Sequence, residues 1–139
     1  MGVSEYFNRA DVYKALNIFY EEENYQTWDL CTDRISYTKN PQGSIQYYDE
    51  IKDIGKYRIL HMSGNTDAVV PTEGTRQWIY ELGAKGWEIK NDWEPYYIAD
   101  GKAVGGFVEV RDGLTFATVH GVGHMAPQWK PEAAYYLVD

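Results

Sequence analysis

The sequence predicts an α/β protein: a sheet with flanking helices that closes in a terminal β-meander. Three observations predict it. The run "YRILHMSG" is nearly continuous in apolar residues from Tyr57 to Ser63, which suits a strand covered on both faces in a parallel sheet. It is followed by "PTEGTRQWIYELG", a helix with Pro71 and Thr72 at its start and Gly83 past its end. Then "YYIADGKAVGGFVEVRDGLTFATV" carries three β-like runs, broken by Asp100-Gly101 and Asp112-Gly113, dipeptides that favour tight hairpins.

The remaining elements follow in order. "NRADVYKALNIFY" places Val12, Leu16 and Phe19/Tyr20 on one helical face, with Asn8 as a cap before it. "CTDRISYTKNPQGS" reads as loop, because Asn40-Pro41 and Gly43 break any regular element. "SIQYYDEIKDIG" is a short amphipathic helix, capped by Ser44 and stopped at Gly55. A Trp-rich connection (Trp87, Trp93) leads into the meander, whose run Ala103–Val110 is expected antiparallel to the last strand, Leu114–Val119. That strand delivers the chain to "HGVGHMAPQWKP", whose glycines and prolines suit neither helix nor strand, and then to the helix-like "PEAAYYLV". No segment repeats, and 139 residues fit one domain, 1–139, with a modest core.

The totals exclude several classes. A net charge of −8 argues against binding a phosphate backbone, so no nucleic acid is expected. No apolar run reaches the length of a membrane span. "MGVSEY" is neither a signal peptide nor a myristoylation site, since Tyr6 stands where Ser or Thr is wanted. The single cysteine, Cys31, forbids an internal disulfide; it is a small buried apolar side chain or half of a bridge to something else. Aromatic residues are abundant at 16%, enough to supply either a core or an interface.

Catalytic groups in open α/β sheets gather at the carboxyl ends of strands. Two such ends carry suitable side chains here. "GNTDAVVP" puts Asp67 after the first strand, and "GVGHMAP" puts His124 after the last. If these strands are parallel neighbours, both loops open on one edge of the sheet and the side chains can meet. A carboxylate bonded to imidazole Nδ1–H fixes the tautomer and supports the imidazolium formed when Nε2 takes a proton. The plainer reading is that Asp67 is a turn residue and His124 is merely exposed. A metal site is a third reading, because His120 and His124 have i, i+4 spacing, but Gly121 and Gly123 disfavour the helix it needs. His61, within a strand, is expected to pack. No cofactor or metal is expected.

At these residues the sequence resembles a known family. "YFNRADVYKALNI", "MSGNTDAVVPTEGTRQWI" and "GKAVGGFVEVRDGLTFATVHGVGHMAPQWKPEAA" are together similar to the serine carboxypeptidases, α/β-hydrolase enzymes that remove C-terminal residues from peptides. The similarity runs from about Tyr6 to the end. It implies the C-terminal part of an α/β-hydrolase sheet, with Asp67 as the acid and His124 as the base of a Ser-His-Asp triad. Met125 would line the leaving-residue side of the cleft. Cys31, in "WDLCTDR", matches a family cysteine that bridges to an upstream partner. The resemblance also implies a lysosomal, vacuolar or secreted protein.

The sequence departs from the family at two points. Asn65 replaces the first carboxylate of the acid loop. The chain also matches only the family's C-terminal third, and none of Ser4, Ser36, Ser44 and Ser63 stands in a G-x-S-x-G elbow. The expectation is therefore a partial serine carboxypeptidase domain whose nucleophile lies in an upstream part of the same hydrolase or in a second chain. Peptides are its substrates. The strand Tyr57–Ser63 should then present one unpaired apolar edge. The alternative is an inactive carboxypeptidase-like module that binds peptides or partners.

Overall fold

The computed structural model describes residues 2–18 and 27–139, which group into two compact units, residues 1–40 and 41–139. In the first unit, α1 (Val3–Phe7) and α2 (Ala10–Ala15) are short. Asn8 does not cap α2, whose N-cap is Arg9; it ends α1 instead. Its amide has a different task. Nδ2 donates to the Ser4 and Trp28 carbonyls, and Oδ1 accepts from the Trp28 backbone N–H at 2.7 Å, so one side chain ties Trp28 to α1. Val12 and Tyr13 are buried. The helix stops at Ala15 and Asn17 turns left-handed (φ +56°), which leaves Leu16 exposed rather than on a continuing apolar face. Phe19 and Tyr20, expected on that face, lie outside the described residues. Residues 31–40 form no helix or strand, as the breakers predict.

The second unit is an α/β sheet of four strands, β1 (Ile59–Gly64), β2 (Ile89–Ile98), β3 (Ala103–Arg111) and β4 (Leu114–Val119), in the order β1-β4-β3-β2. β1 and β4 are parallel and in register from Ile59↔Leu114 to Gly64↔Val119. β2, β3 and β4 form the antiparallel meander. Asp100 and Gly101 both take positive φ in the first turn (+53° and +83°), and Gly113 (φ +92°) makes the second. β2 reaches back through the Trp-rich connection to Ile89. Its polar sequence hides it: "IKNDWEP" lacks alternation, pairs through register shifts, and contains Pro95, tolerated because β2 is an edge strand.

Helix α3 (Ile45–Ile54) ends at left-handed Gly55 as expected, whereas Ser44 holds the N-cap position without a side-chain bond. Helix α4 (Thr72–Leu82) ends just before Gly83 as expected, but Gly83 stays right-handed and a 3₁₀ turn, Gly83–Lys85, carries the chain on to left-handed Gly86. A single-turn helix, α5 (Ala126–Trp129), sits in the segment read as irregular, and α6 (Pro131–Val138) ends the chain.

The period of two along β4 sorts the core into two layers. Leu114 and Phe116 join Ile79, Leu82 and Trp87, with Ile59, Tyr48 and Trp78 packed against them. Val119 joins Val122, Ala126 and Ala133 with Met62 and Leu137. Helix α4 therefore covers one sheet face and α6 the other, which is why β1 and β4 read as continuous apolar runs. A buried ion pair, Arg111 Nε to Glu109 Oε1 at 2.5 Å, lies in β3, and Arg111 also donates to the Trp87 carbonyl.

Candidate active site

The parallel pairing of β1 with β4 ends at Gly64 and Val119, so both following loops leave the same sheet edge. Backbone bonds lace them together: Asn65 N–H donates to the Val119 carbonyl and Thr66 N–H to the Val122 carbonyl. Asp67 and His124, 57 residues apart in sequence, are thereby brought into contact. His124 Nδ1 lies 2.9 Å from Asp67 Oδ2. An ionised carboxylate only accepts, so the proton of this bond sits on Nδ1; in the neutral ring the lone pair is then on Nε2.

The Asp67 carboxylate is held by its own loop. Asp67 Oδ1 accepts from the Val69 and Val70 N–H groups at 2.7 and 3.0 Å, an Asx-type turn that fixes the carboxylate before it meets the imidazole. Its side chain is 7% exposed, against 51% for His124. The Val70 N–H, then the His124 bond and the Val69 N–H, hold the Asp67 carboxyl below the usual carboxylate range, against the opposing effect of burial. One oxygen is committed to the backbone and the other to the ring. Nε2 has no partner among the described residues, so the imidazole can accept a proton there while Asp67 stabilises the resulting charge.

Beneath the pair is a small cavity of about 180 Å³, lined by residues including Ser63, Gly64, Thr75, His124 and Ala126. A larger one, about 640 Å³, is lined by Tyr80, Trp87, Ile89 and Arg111 among others and shares no residue with the first. Arg111, which lines the larger cavity, is paired with Glu109, whereas Asp67 and His124 both line the smaller one. Thr72 Oγ1 donates to the Gly64 carbonyl at 2.7 Å, so Ser63 Oγ, 2.8 Å away, must donate to Thr72. Ser63 is buried with its proton engaged.

The other sequence candidates fall elsewhere. Met125 follows His124 at 38% exposure, holds the N-cap position of α5, and does not line the small cavity. His61 packs as expected, half-buried against Trp78 and near Tyr48 Oη, and burial pushes its pKa down. His120 and His124 do not share a helix; each faces a different partner, and among the described residues no group of three or more His, Cys, Asp or Glu side chains could hold a metal. Cys31 is free and exposed, not buried.

The sequence reading missed Asn65. Its Oδ1 accepts from Gly121 N–H at 2.8 Å and its Nδ2 lies 3.0 Å from His120 Nδ1, a second set of ties between the acid and histidine loops. The signal was present as the departure from the acid-loop pattern.

Comparison with known proteins agrees with the resemblance. The sequence model of the family described as serine carboxypeptidase matches residues 1–139. The chain is 39% identical over 134 residues to serine carboxypeptidase-like 25 of Arabidopsis thaliana, covering 95% of this chain and 27% of that protein. To serine carboxypeptidase-like 22 of the same plant it is 35% identical, covering 96% and 28%. To serine carboxypeptidase 24 of that plant it is 36% identical, again covering 96% and 28%. The chain thus spans about a quarter of the length of the curated relatives it matches.

Proposed function

Because the chain belongs to the serine carboxypeptidase family, we propose that it supplies the acid and base of a serine-type carboxypeptidase acting on the C-terminal bond of peptides. One observation carries the reading: the 2.9 Å bond between Asp67 Oδ2 and His124 Nδ1. In this reading Nε2 takes the hydroxyl proton of a nucleophilic serine as that oxygen attacks the carbonyl carbon of the terminal bond. The imidazolium, supported by Asp67, then gives the proton to the leaving amine. Water repeats the cycle on the acyl-enzyme.

The serine and the oxyanion donors come from an upstream part of the hydrolase, in the same polypeptide or a second one, because no serine of this sequence stands in a G-x-S-x-G elbow. That part would add its sheet at the free side of β1. The exposed thiol of Cys31 would bridge to it, and Met125 would contact the leaving residue. A disulfide of this kind fits a vacuolar or secreted protein. Among the described residues no helix is long and apolar enough to cross a membrane.

The test joins the chain to an upstream carboxypeptidase segment and assays hydrolysis of a blocked dipeptide. Release of the C-terminal residue by the joined protein, none by the 139-residue chain, and loss on His124→Ala are expected. Labelling of the chain's own serines by a serine-directed phosphonate would overturn the division of the triad. Peptide binding without turnover in the joined protein would favour the binding module instead.

A further inference from the structure

The Asp67–His124 bond is not the only side-chain link across the two loops, and the second link has a defined polarity. Asn65 Oδ1 accepts from the Gly121 N–H at 2.8 Å. That fixes which way the carboxamide points, so the group 3.0 Å from His120 Nδ1 is the NH₂. An amide NH₂ only donates, and His120 Nδ1 must accept. His120 therefore carries its proton on Nε2, the opposite tautomer to His124. Gly121, where Asn65 holds the backbone, takes φ +70° and begins the three-residue path to His124.

We propose that Asn65 is a positioning residue for His124, acting by clamping the turn at His120–Gly121 to the acid loop; this rests on the reading of Asp67 and His124 as the acid and base. Its effect runs through the Gly121 N–H. The bond to His120 orients the amide and occupies His120 Nδ1, so among the described residues that nitrogen is engaged by Asn65 alone. A carboxylate at position 65 would keep the Gly121 bond but accept from His120, drawing a proton onto Nδ1. The asparagine therefore makes this clamp without adding a charge.

Ring-nitrogen NMR on the 139-residue chain tests this without catalysis, since it holds only three histidines. In the unsubstituted chain His124 Nδ1 should be protonated and slow to exchange, and His120 Nδ1 should be unprotonated. Asn65→Ala should speed exchange of the His124 Nδ1 proton about five- to tenfold, the factor that matches one ordinary hydrogen bond. His120→Ala and Asn65→Asp, which keep the Gly121 bond, should leave that exchange unchanged, and Asn65→Asp should protonate His120 Nδ1. Unchanged exchange in Asn65→Ala, or a protonated His120 Nδ1 in the unsubstituted chain, would overturn the clamp. Should Asn65→Ala fail to fold, the ring state of His120 in Asn65→Asp decides: an unprotonated Nδ1 there overturns it. Absence of the His124 Nδ1 proton in the unsubstituted chain would instead strike the acid–base reading itself.

Discussion

A Cβ placed on Gly64 would lie 2.2 Å from the carbonyl oxygen of Gly123 and 2.4 Å from that of Val122. The last residue of β1 therefore touches the histidine loop backbone to backbone, and no side chain fits between them. This contact brings Asp67, three residues on, within reach of His124. Gly64→Ala should force the loops apart at a cost of about 1–3 kcal/mol, the range for overpacking a close contact. A thermal melt measures the loss, and the Nδ1 proton of His124 should vanish with it. An alanine variant with unchanged melting and an intact Nδ1 proton would show the approach to be looser than these distances.

The free side of β1 gives the second prediction. Among the described strands β1 pairs on one side alone, with β4, and Ile59 to Met62 are only partly buried. An apolar strand with unpaired N–H and C=O groups is a template for another chain. The 139-residue polypeptide should self-associate as its concentration rises, measured by sedimentation, and an upstream carboxypeptidase segment should suppress this. A monomer at all concentrations with a cooperative melt would contradict it.

The buried ion pair gives the third. Glu109 and Arg111 are 7% and 3% exposed, and each is the other's compensation. Glu109→Gln leaves a buried guanidinium without its anion, which typically destabilises by about 3–5 kcal/mol. Replacing both residues with apolar ones of similar size should cost far less, because no uncompensated charge remains. Denaturant melts of the single and double variants measure the difference; equal losses would mean that solvent reaches Arg111.

Much of this was legible in the sequence, for identifiable reasons. β1 and β4 were readable because helices cover both faces of the sheet, which makes each strand an apolar run between turn residues. Asp67 and His124 were readable because each stands just past such a run on a short loop. The start of β2 was not, since an edge strand with bulges and Pro95 takes its conformation from pairing with β3 rather than from its own pattern. Asn8 looked like a cap because caps and loop anchors use the same short amide side chains. The Glu109–Arg111 pair was hidden for a similar reason: charged residues two apart on a strand normally mark a solvent face, whereas here both are buried and Arg111 bonds the Trp87 carbonyl and lies over the Tyr80 ring.

Alkaline pH should unfold the protein through Tyr96. Its hydroxyl donates to the Thr118 carbonyl at 3.1 Å in a buried position, and burial, with a smaller contribution from Tyr136, pushes its pKa up to about 12. An unfolded tyrosine loses its proton near pH ~10. Between those values the folded state binds more protons than the unfolded one, so the contribution is complete below about pH 10 and is lost as pH rises toward 12. Tyr48, whose pKa burial also raises, adds to the same limb. Tyr96→Phe should flatten this limb in melts taken against pH, while lowering stability at neutral pH by about 1 kcal/mol for the lost bond. An unchanged alkaline limb would locate the sensitive group elsewhere.

The last prediction concerns the proton path in the joined enzyme. Only His124 combines a protonated Nδ1 on a carboxylate with a free Nε2, so His124→Ala should lower kcat by several orders of magnitude with little change in KM. Asp67→Asn keeps the shape of the loop. Its NH₂ can then face the ring only as a donor, which moves the imidazole proton to Nε2 and leaves no lone pair for the serine. The loss should be on the order of 10⁴-fold, as it is when the acid of a chymotrypsin-type relay is made an amide. His120→Ala should change kcat far less, because its Nδ1 is occupied by Asn65 and it touches no reacting atom. The double variant His124→Ala/Asp67→Asn separates a relay from two independent contributions. In a relay the acid acts only through the base, so the double variant should be no slower than His124→Ala alone. Additive losses would mean that Asp67 acts on the substrate directly, and comparable losses at His120 and His124 would mean that the base has been misplaced.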